Sequence, residues 1–269
     1  MSRVSDAETQ PLPAGAARAH IPDMEPSPAP RVAALELPHR FGDVPAALAA
    51  TDALLARAVA GGLDLALLPE CALTGYLSPA GDFDLAPFAE ALDGPTARAL
   101  ADLARRHRVA LAGPLVERDG DRVFNALLLF DAAGERVGHW RKRHPWYPER
   151  WATPGDLGTP VVTLGALRVT ACVCFDIHFI ADDAPDALAE ADVLLFPSAW
   201  VEERAGDDAR EQLLGGLARR FGLAVVNANW GRGEPRVAGQ GGSRIVGPEG
   251  RAARASGGFV KAAVAPRRR

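Results

Sequence analysis

Three residue types that together can attack an electrophilic carbon stand next to apolar segments of this chain: Glu70, Lys142 and Cys174. A thiol adds to a carbonyl or nitrile carbon as its thiolate, so a base must take its proton. A carboxylate serves if a closed site raises its pKa, and Glu70 fits that role. The tetrahedral adduct then carries negative charge, and each donor aimed at it is worth roughly 3–4 kcal/mol. Lys142 fits, assisted by the backbone N–H of Phe175. Of the 30 basic residues only Lys142 and Lys261 are lysines, leaving 28 arginines. A sequence that otherwise uses arginine for positive charge has a reason to keep an amine, and a compact ammonium suits one oxyanion better than a planar fork does.

The elements that must position these groups follow from the apolar runs around them. Residues 167–174, LRVTACVC, predict a buried strand with Cys172 and Cys174 on one face, Cys172 as a small core residue. The polar residues Asp176, His178, Asp182 and Asp183 follow at once, so Cys174 is expected where a rigid strand opens into a loop. Residues 63–69, LDLALLP, predict a second buried strand leading directly into Glu70, and a carboxylate there is costly unless it is hydrogen-bonded or working. Residues 138–155, GHWRKRHPWYPERWATPG, read as one long irregular loop carrying Lys142 and Glu149, the latter between Trp146 and Trp151. Trp146, Tyr147, Trp151, Trp200 and Trp230 are candidates for shaping a pocket.

Elsewhere the pattern predicts helices over 43–60 with Asp43 as cap, over 94–108, over 184–191, and from a cap at Asp207 to Phe221. Strands are expected at 31–37, 109–113, 123–130, 192–196, 223–227, 243–246 and 259–264. Strand–helix alternation broken by hairpin-like pairs predicts mixed sheets with helices outside. Residues 1–30, rich in Pro, Ala, Ser and acidic residues, read as a disordered tail, and 31–269 as the folded domain.

With 269 residues, 48% of them hydrophobic, the chain can bury a sizeable core. A net charge of -4 and a pI near 5.9 give no basis for nucleic-acid binding. The lack of a membrane-length apolar run and of a signal-peptide core leads to the expectation of a cytoplasmic protein. Three cysteines, an odd number, agree with a reducing compartment.

Glu, Lys and Cys are common, and their spacing alone is not specific. The words around them are: LLPECALTGY around Glu70, WRKRHPWYPERWATPGD around Lys142, and ACVCFD followed by ADVLLFPSAW around Cys174. Together with LARRFGLAVVNANWG and GGSRIVGPEGR, they resemble the nitrilase superfamily of carbon-nitrogen hydrolases over about residues 31–264. The resemblance implies a four-layer α-β-β-α sandwich with two mixed sheets. It implies a triad of Cys174 as nucleophile, Glu70 as general base and Lys142 as stabiliser of the tetrahedral state, with no metal, no cofactor and a thioester or thioimidate resolved by water. Glu149 resembles the family's second glutamate, which helps hold substrate and proton network. PWYPERW is similar to the PWxPxExW segment of aliphatic amidases, with Glu149 one residue closer to Pro148. Asp176 matches the family's Cys-aromatic-Asp and favours Cys174 over Cys172. After the cysteine, FDIHFIADDAPDALAE departs from the family's Phe-Pro-Glu and arginine, so no substrate contact is transferred from there.

The expectation is hydrolysis of a small amide or carbamoyl compound with release of ammonia. Glu149, Phe175, Trp146 and Trp200 are the expected substrate-binding residues. A small-molecule substrate and water are the expected partners, with neither nucleic acid nor membrane, and assembly as a homodimer or higher homo-oligomer. The same triad acting on a nitrile is the alternative. Rival readings are a Cys-His hydrolase through His178, a thiol or metal module of Cys71, Cys172, Cys174 and His178, and a fold kept for assembly without turnover.

Overall fold

A computed structural model describes residues 28–200, 204–236 and 239–267, with the side chains of 204–207 outside the description. The expected tail lies almost wholly outside the described residues. In chain order the elements are β1 (Arg31–Leu35), β2 (Pro38–Arg40), α1 (Val44–Ala58), β3 (Leu65–Leu67), α2 (Pro95–His107), β4 (Ala110–Asp119), β5 (Arg122–Phe130) and β6 (Arg136–Arg141). There follow β7 (Val162–Leu164), β8 (Leu167–Ala171), α3 (Ile180–Asp183), α4 (Pro185–Glu190), β9 (Val193–Ser198) and α5 (Arg204–Phe221). The last five are β10 (Ala224–Asn229), β11 (Gly231–Glu234), β12 (Arg244–Val246), β13 (Ala252–Arg254) and β14 (Phe259–Ala263).

Two six-stranded sheets carry the architecture, in the orders β14-β1-β3-β4-β5-β6 and β13-β12-β10-β9-β8-β7. The central pairs β1–β3, β3–β4, β8–β9 and β9–β10 are parallel, and antiparallel strands close both edges. The period of two in each strand sorts its side chains between layers. Val32, Ala34, Leu65 and Leu67 of the first sheet meet Val169, Ala171, Leu195 and Val226 of the second. The alternate residues Ala33, Leu35 and Ala66 face outward onto Leu54 and Leu55 of α1 and Leu100 and Ala104 of α2. On the far side Leu194, Phe196 and Val225 pack against Leu188 of α4 and Leu214, Leu217 and Ala218 of α5. The layers therefore run helix, sheet, sheet, helix, the expected four-layer sandwich, and each fully buried leucine contributes about 1.5–3 kcal/mol.

Several boundaries differ from expectation, each for a local reason. The cysteine strand ends at Ala171, three residues early, because Cys174 turns into a short 3₁₀ segment, Cys174–His178. Cys172 and Cys174 consequently do not share a face: Cys172 packs towards α4 and α5, Cys174 between the sheets. The long loop begins as β6, whose residues 136 and 138–141 pair with β5, leaving irregular chain only after Arg141. β4 runs on through Pro114 to Asp119, since β3 pairs only as far as Ala112 and leaves that side of the strand where a proline is tolerated. The helix expected from Asp207 starts at Arg204.

Candidate active site

Glu70 and Cys174 occupy equivalent places in the two sheets. Each lies three residues beyond the carboxyl end of a parallel strand, β3 and β8 respectively. Each also lies at a left-handed backbone turn, with φ of 49° at Cys71 and 46° at Cys174. A side chain with a Cβ pays about 1–2 kcal/mol for that conformation, which persists only where the surroundings enforce it. At Cys174 they do. The buried Asp176 carboxylate accepts the Val173 N–H at 3.2 Å from within the turn. It also accepts the Arg143 N–H at 3.1 Å and the His144 N–H at 2.8 Å, pinning the chain after Lys142 to the Cys174 turn. Burial pushes the Asp176 carboxyl up, against the opposing pull of the His144 N–H and the Lys142 charge.

Lys142 follows β6 and continues its pairing, its N–H donating to the Asn125 carbonyl at 2.8 Å. Its own carbonyl accepts the Gly155 N–H at 2.8 Å, and a Cβ at position 155 would stand 2.4 Å from the Arg141 oxygen, so glycine is required for that close return. The Lys142 Nζ donates to Glu70 Oε1 and to Glu149 Oε1, each at 2.7 Å, with all three side chains fully buried. Burial alone would discharge the amine, but the charges of Glu70 and Glu149 outweigh it and hold its pKa well above the ordinary lysine value. It is a fixed ammonium.

Glu70 is held on both oxygens. Asn125 Nδ2 donates to Oε1 at 2.8 Å and the Ala199 N–H to Oε2 at 2.9 Å. Ala199, just beyond the end of β9, lines the same cavity as Cys174, so the carboxylate and the sulfur converge on one place. The Cys174 thiol is nevertheless driven well above its usual range, by burial first and then by the Glu70 and Glu149 charges, against the pull of Lys142. It rests protonated and needs a base.

Glu149 completes the buried set, accepting the Tyr76 hydroxyl at 2.6 Å on Oε1 and the Trp146 N–H at 3.0 Å on Oε2. Burial raises its pKa, with Lys142 opposing. Tyr76 is fixed from behind: its N–H and that of Leu77 donate to His39 Nε2 at 3.1 and 3.3 Å, which leaves Nδ1–H of His39 to donate to the Glu234 carbonyl at 3.1 Å. Gly75, at φ 76°, makes the preceding turn possible; a Cβ there would stand 2.5 Å from the Arg40 carbonyl.

Above this floor lies a cavity of about 100 Å³ that reaches Cys174 and is walled by Tyr76, Trp146, Phe175, Trp200 and His178. Of the expected substrate-binding residues, Phe175, Trp146 and Trp200 line the cavity. Glu149 instead lies among the buried groups against Lys142. Tyr147 is 79% exposed and Trp230 packs on Tyr76 and His39, so neither shapes the wall. Sequence reasoning missed Asn125, Tyr76 and the Ala199 N–H as parts of the constellation. Asn125 had a signal, as the lone polar residue inside the apolar run VFNALLLF, where a buried amide demands partners. Among the described residues no hydrogen bond joins His178 to Cys174, and no group of three His, Cys, Asp or Glu side chains could hold a metal ion.

Sandwich and buried constellation together define a class of hydrolase-like α/β proteins, and comparison with known proteins identifies which. The model of the family described as carbon-nitrogen hydrolase matches residues 31–263, and the chain belongs to that family. A nitrilase from Pyrococcus abyssi is 34% identical over 151 residues, 55% of this chain and 56% of that protein. The match thus spans only about half the relative's length. An (R)-stereoselective amidase from a Pseudomonas species is 29% identical over 222 residues, 82% of this chain and 78% of that one. Among solved structures, a variant of the Nesterenkonia AN1 amidase of the nitrilase superfamily superposes with a TM-score of 0.77 at 25% identity, covering 89% of this chain and 91% of its own.

Proposed function

We propose that this protein hydrolyses the C–N bond of a small amide, with Cys174 as nucleophile, Glu70 as general base and Lys142 as the electrostatic stabiliser. Glu70 takes the Cys174 thiol proton as sulfur bonds to the carbonyl carbon. The resulting oxyanion is met by the Lys142 ammonium, which already spends two of its protons on Glu70 and Glu149, and by the backbone N–H of Phe175. Protonated Glu70 returns its proton to the nitrogen, the C–N bond breaks, and ammonia leaves a thioester on Cys174. A water deprotonated by Glu70 adds to the thioester, and collapse of that second adduct breaks the C–S bond, frees the carboxylic acid and restores the thiol. No cofactor is needed, because every proton is carried by Glu70 and every charge met by Lys142.

The observation that supports this reading most is that Glu70, 2.7 Å from the Lys142 ammonium, accepts the N–H of Ala199, which lines the same cavity as Cys174. The test is ammonia release from a panel of amides, ureido acids and nitriles by the native protein and Cys174→Ala. Release from amides is expected, and its survival in the folded variant would overturn the assignment. A cytoplasmic location and a homodimer or higher homo-oligomer complete the proposal, to be tested by fractionation and light scattering. The three buried free thiols support a reducing compartment.

A further inference from the structure

The wall of the cavity is as informative as its floor. Four of its side chains, Tyr76, Trp146, Phe175 and Trp200, are aromatic, and His178 stands at its exposed edge with its ring 5.4 Å from Phe175 and 5.9 Å from Trp200. Among the described residues no lysine, arginine, aspartate or glutamate side chain lines it. Arg210 stacks at 5.5 Å on Trp200 and donates towards the Gly241 and Gly242 carbonyls, apart from the wall. Beneath the floor two carboxylates, Glu70 and Glu149, face one ammonium, Lys142, so the buried charge offers a second anion no counterion.

We infer that the acyl group accepted here is uncharged and apolar, and that amides whose acyl chain ends in a carboxylate are rejected. The inference rests on the amide-hydrolase reading and deepens it. An apolar chain against the aromatic rings is favoured by the area it removes from water. A carboxylate in the same place loses hydration without gaining a partner and adds to the negative charge already buried. A cationic chain would find aromatic faces but would give up its hydration with no carboxylate among the described wall residues to pair with it. The volume of about 100 Å³ restricts the acyl group to roughly six carbons or fewer, small against the roughly 300–1,000 Å³ of drug-sized sites.

The experiment compares three amides of nearly equal shape: isocaproamide, succinamate, in which a carboxylate replaces the isopropyl end, and γ-aminobutyramide. Two readouts are taken on the full chain: kcat/KM for ammonia release, and protection of Cys174 from alkylation by iodoacetamide, which needs binding but no turnover. Isocaproamide is expected to exceed succinamate by at least roughly 100-fold in kcat/KM and to exceed γ-aminobutyramide, with protection in the same order. Succinamate or γ-aminobutyramide equal to or better than isocaproamide in either readout would overturn the inference. If none is hydrolysed the amide-hydrolase reading fails, while the order of protection still decides the charge preference. The variant His178→Arg places a permanent cation at the exposed edge and is expected to narrow the isocaproamide-to-succinamate ratio about tenfold. An unchanged ratio in that variant, correctly folded, would contradict discrimination by this wall.

Discussion

Both lysines of the chain sit where a guanidinium would not serve. Lys261 Nζ donates to the carbonyls of Ala58, Ala60 and Gly62 at 2.9, 2.7 and 3.2 Å, closing the carboxyl end of α1 with three converging bonds. Lys142 does the same for two carboxylates, one bond of 2.7 Å to each from a single buried nitrogen. Lys142→Arg is therefore expected to fold and to lose at least roughly 100-fold in kcat, the cost of one misplaced donor to the oxyanion. A kcat within a few-fold of the native value would remove Lys142 from that role. Glu70→Gln keeps an oxygen for the Ala199 N–H but cannot take a proton. It is expected to slow acylation by roughly 100- to 10,000-fold, read as the pre-steady-state burst of ammonia. A burst of undiminished rate would assign the base elsewhere.

The elements explain why these side chains stay where they are. Glu117 on β4 binds Arg141 and His139 across to β6, its Oε2 2.9 Å from Arg141 Nε and 2.8 Å from His139 Nε2, and Arg141 lies 3.8 Å over the Phe124 ring. Arg141 precedes Lys142, so this cluster anchors the strand end that delivers the ammonium. Burial alone would raise the Glu117 carboxyl, but His139 and Arg141 outweigh it and bring it down to about 2 from 4.5. A carboxylate held below its unfolded value stabilises the fold above that value and loses this contribution as pH falls, here between about 4.5 and 2, worth about 3 kcal/mol. Urea unfolding of the native protein and Glu117→Gln across that window should therefore converge as pH falls, the variant lacking this part of the slope. Parallel curves would show that the cluster contributes no such linkage. β6 was illegible because RVGHWR shows no alternation; its order comes from pairing with β5, a contact remote from the local pattern.

At the scale of the whole molecule, mixed sheets with helices outside were readable because the central strands are short unbroken apolar runs, and the four-layer order was legible only through the family resemblance, while of the expected caps one is clear in the structure. Asp43 indeed accepts the Ala46 N–H at 3.0 Å at the start of α1. The three-residue strands β2, β7 and β13 were not readable, since three residues cannot display a period; the equally short β3 and β12 were legible only through the runs LDLALLP and SRIV that contain them. Nor could residues 167–174 reveal that the chain turns left-handed at Cys174 and sends Cys172 and Cys174 to different layers, a turn held by the distant Arg143 and His144 N–H groups. The positions of Glu70, Lys142 and Cys174 in the sequence gave their chemistry; only two packed sheets bring the carboxyl ends of β3, β8 and β9 to one point. Among the described residues no helix is long and apolar enough to cross a membrane. That convergence is tested most directly by acid-quenching the protein during turnover of isocaproamide and measuring the mass of the peptide containing Cys174. The account predicts an acyl adduct on Cys174 that accumulates in the steady state or in a water-excluded burst and is absent from Cys174→Ala. Turnover with the acyl group never found on that peptide, or found on Cys172 or Cys71 instead, would contradict it.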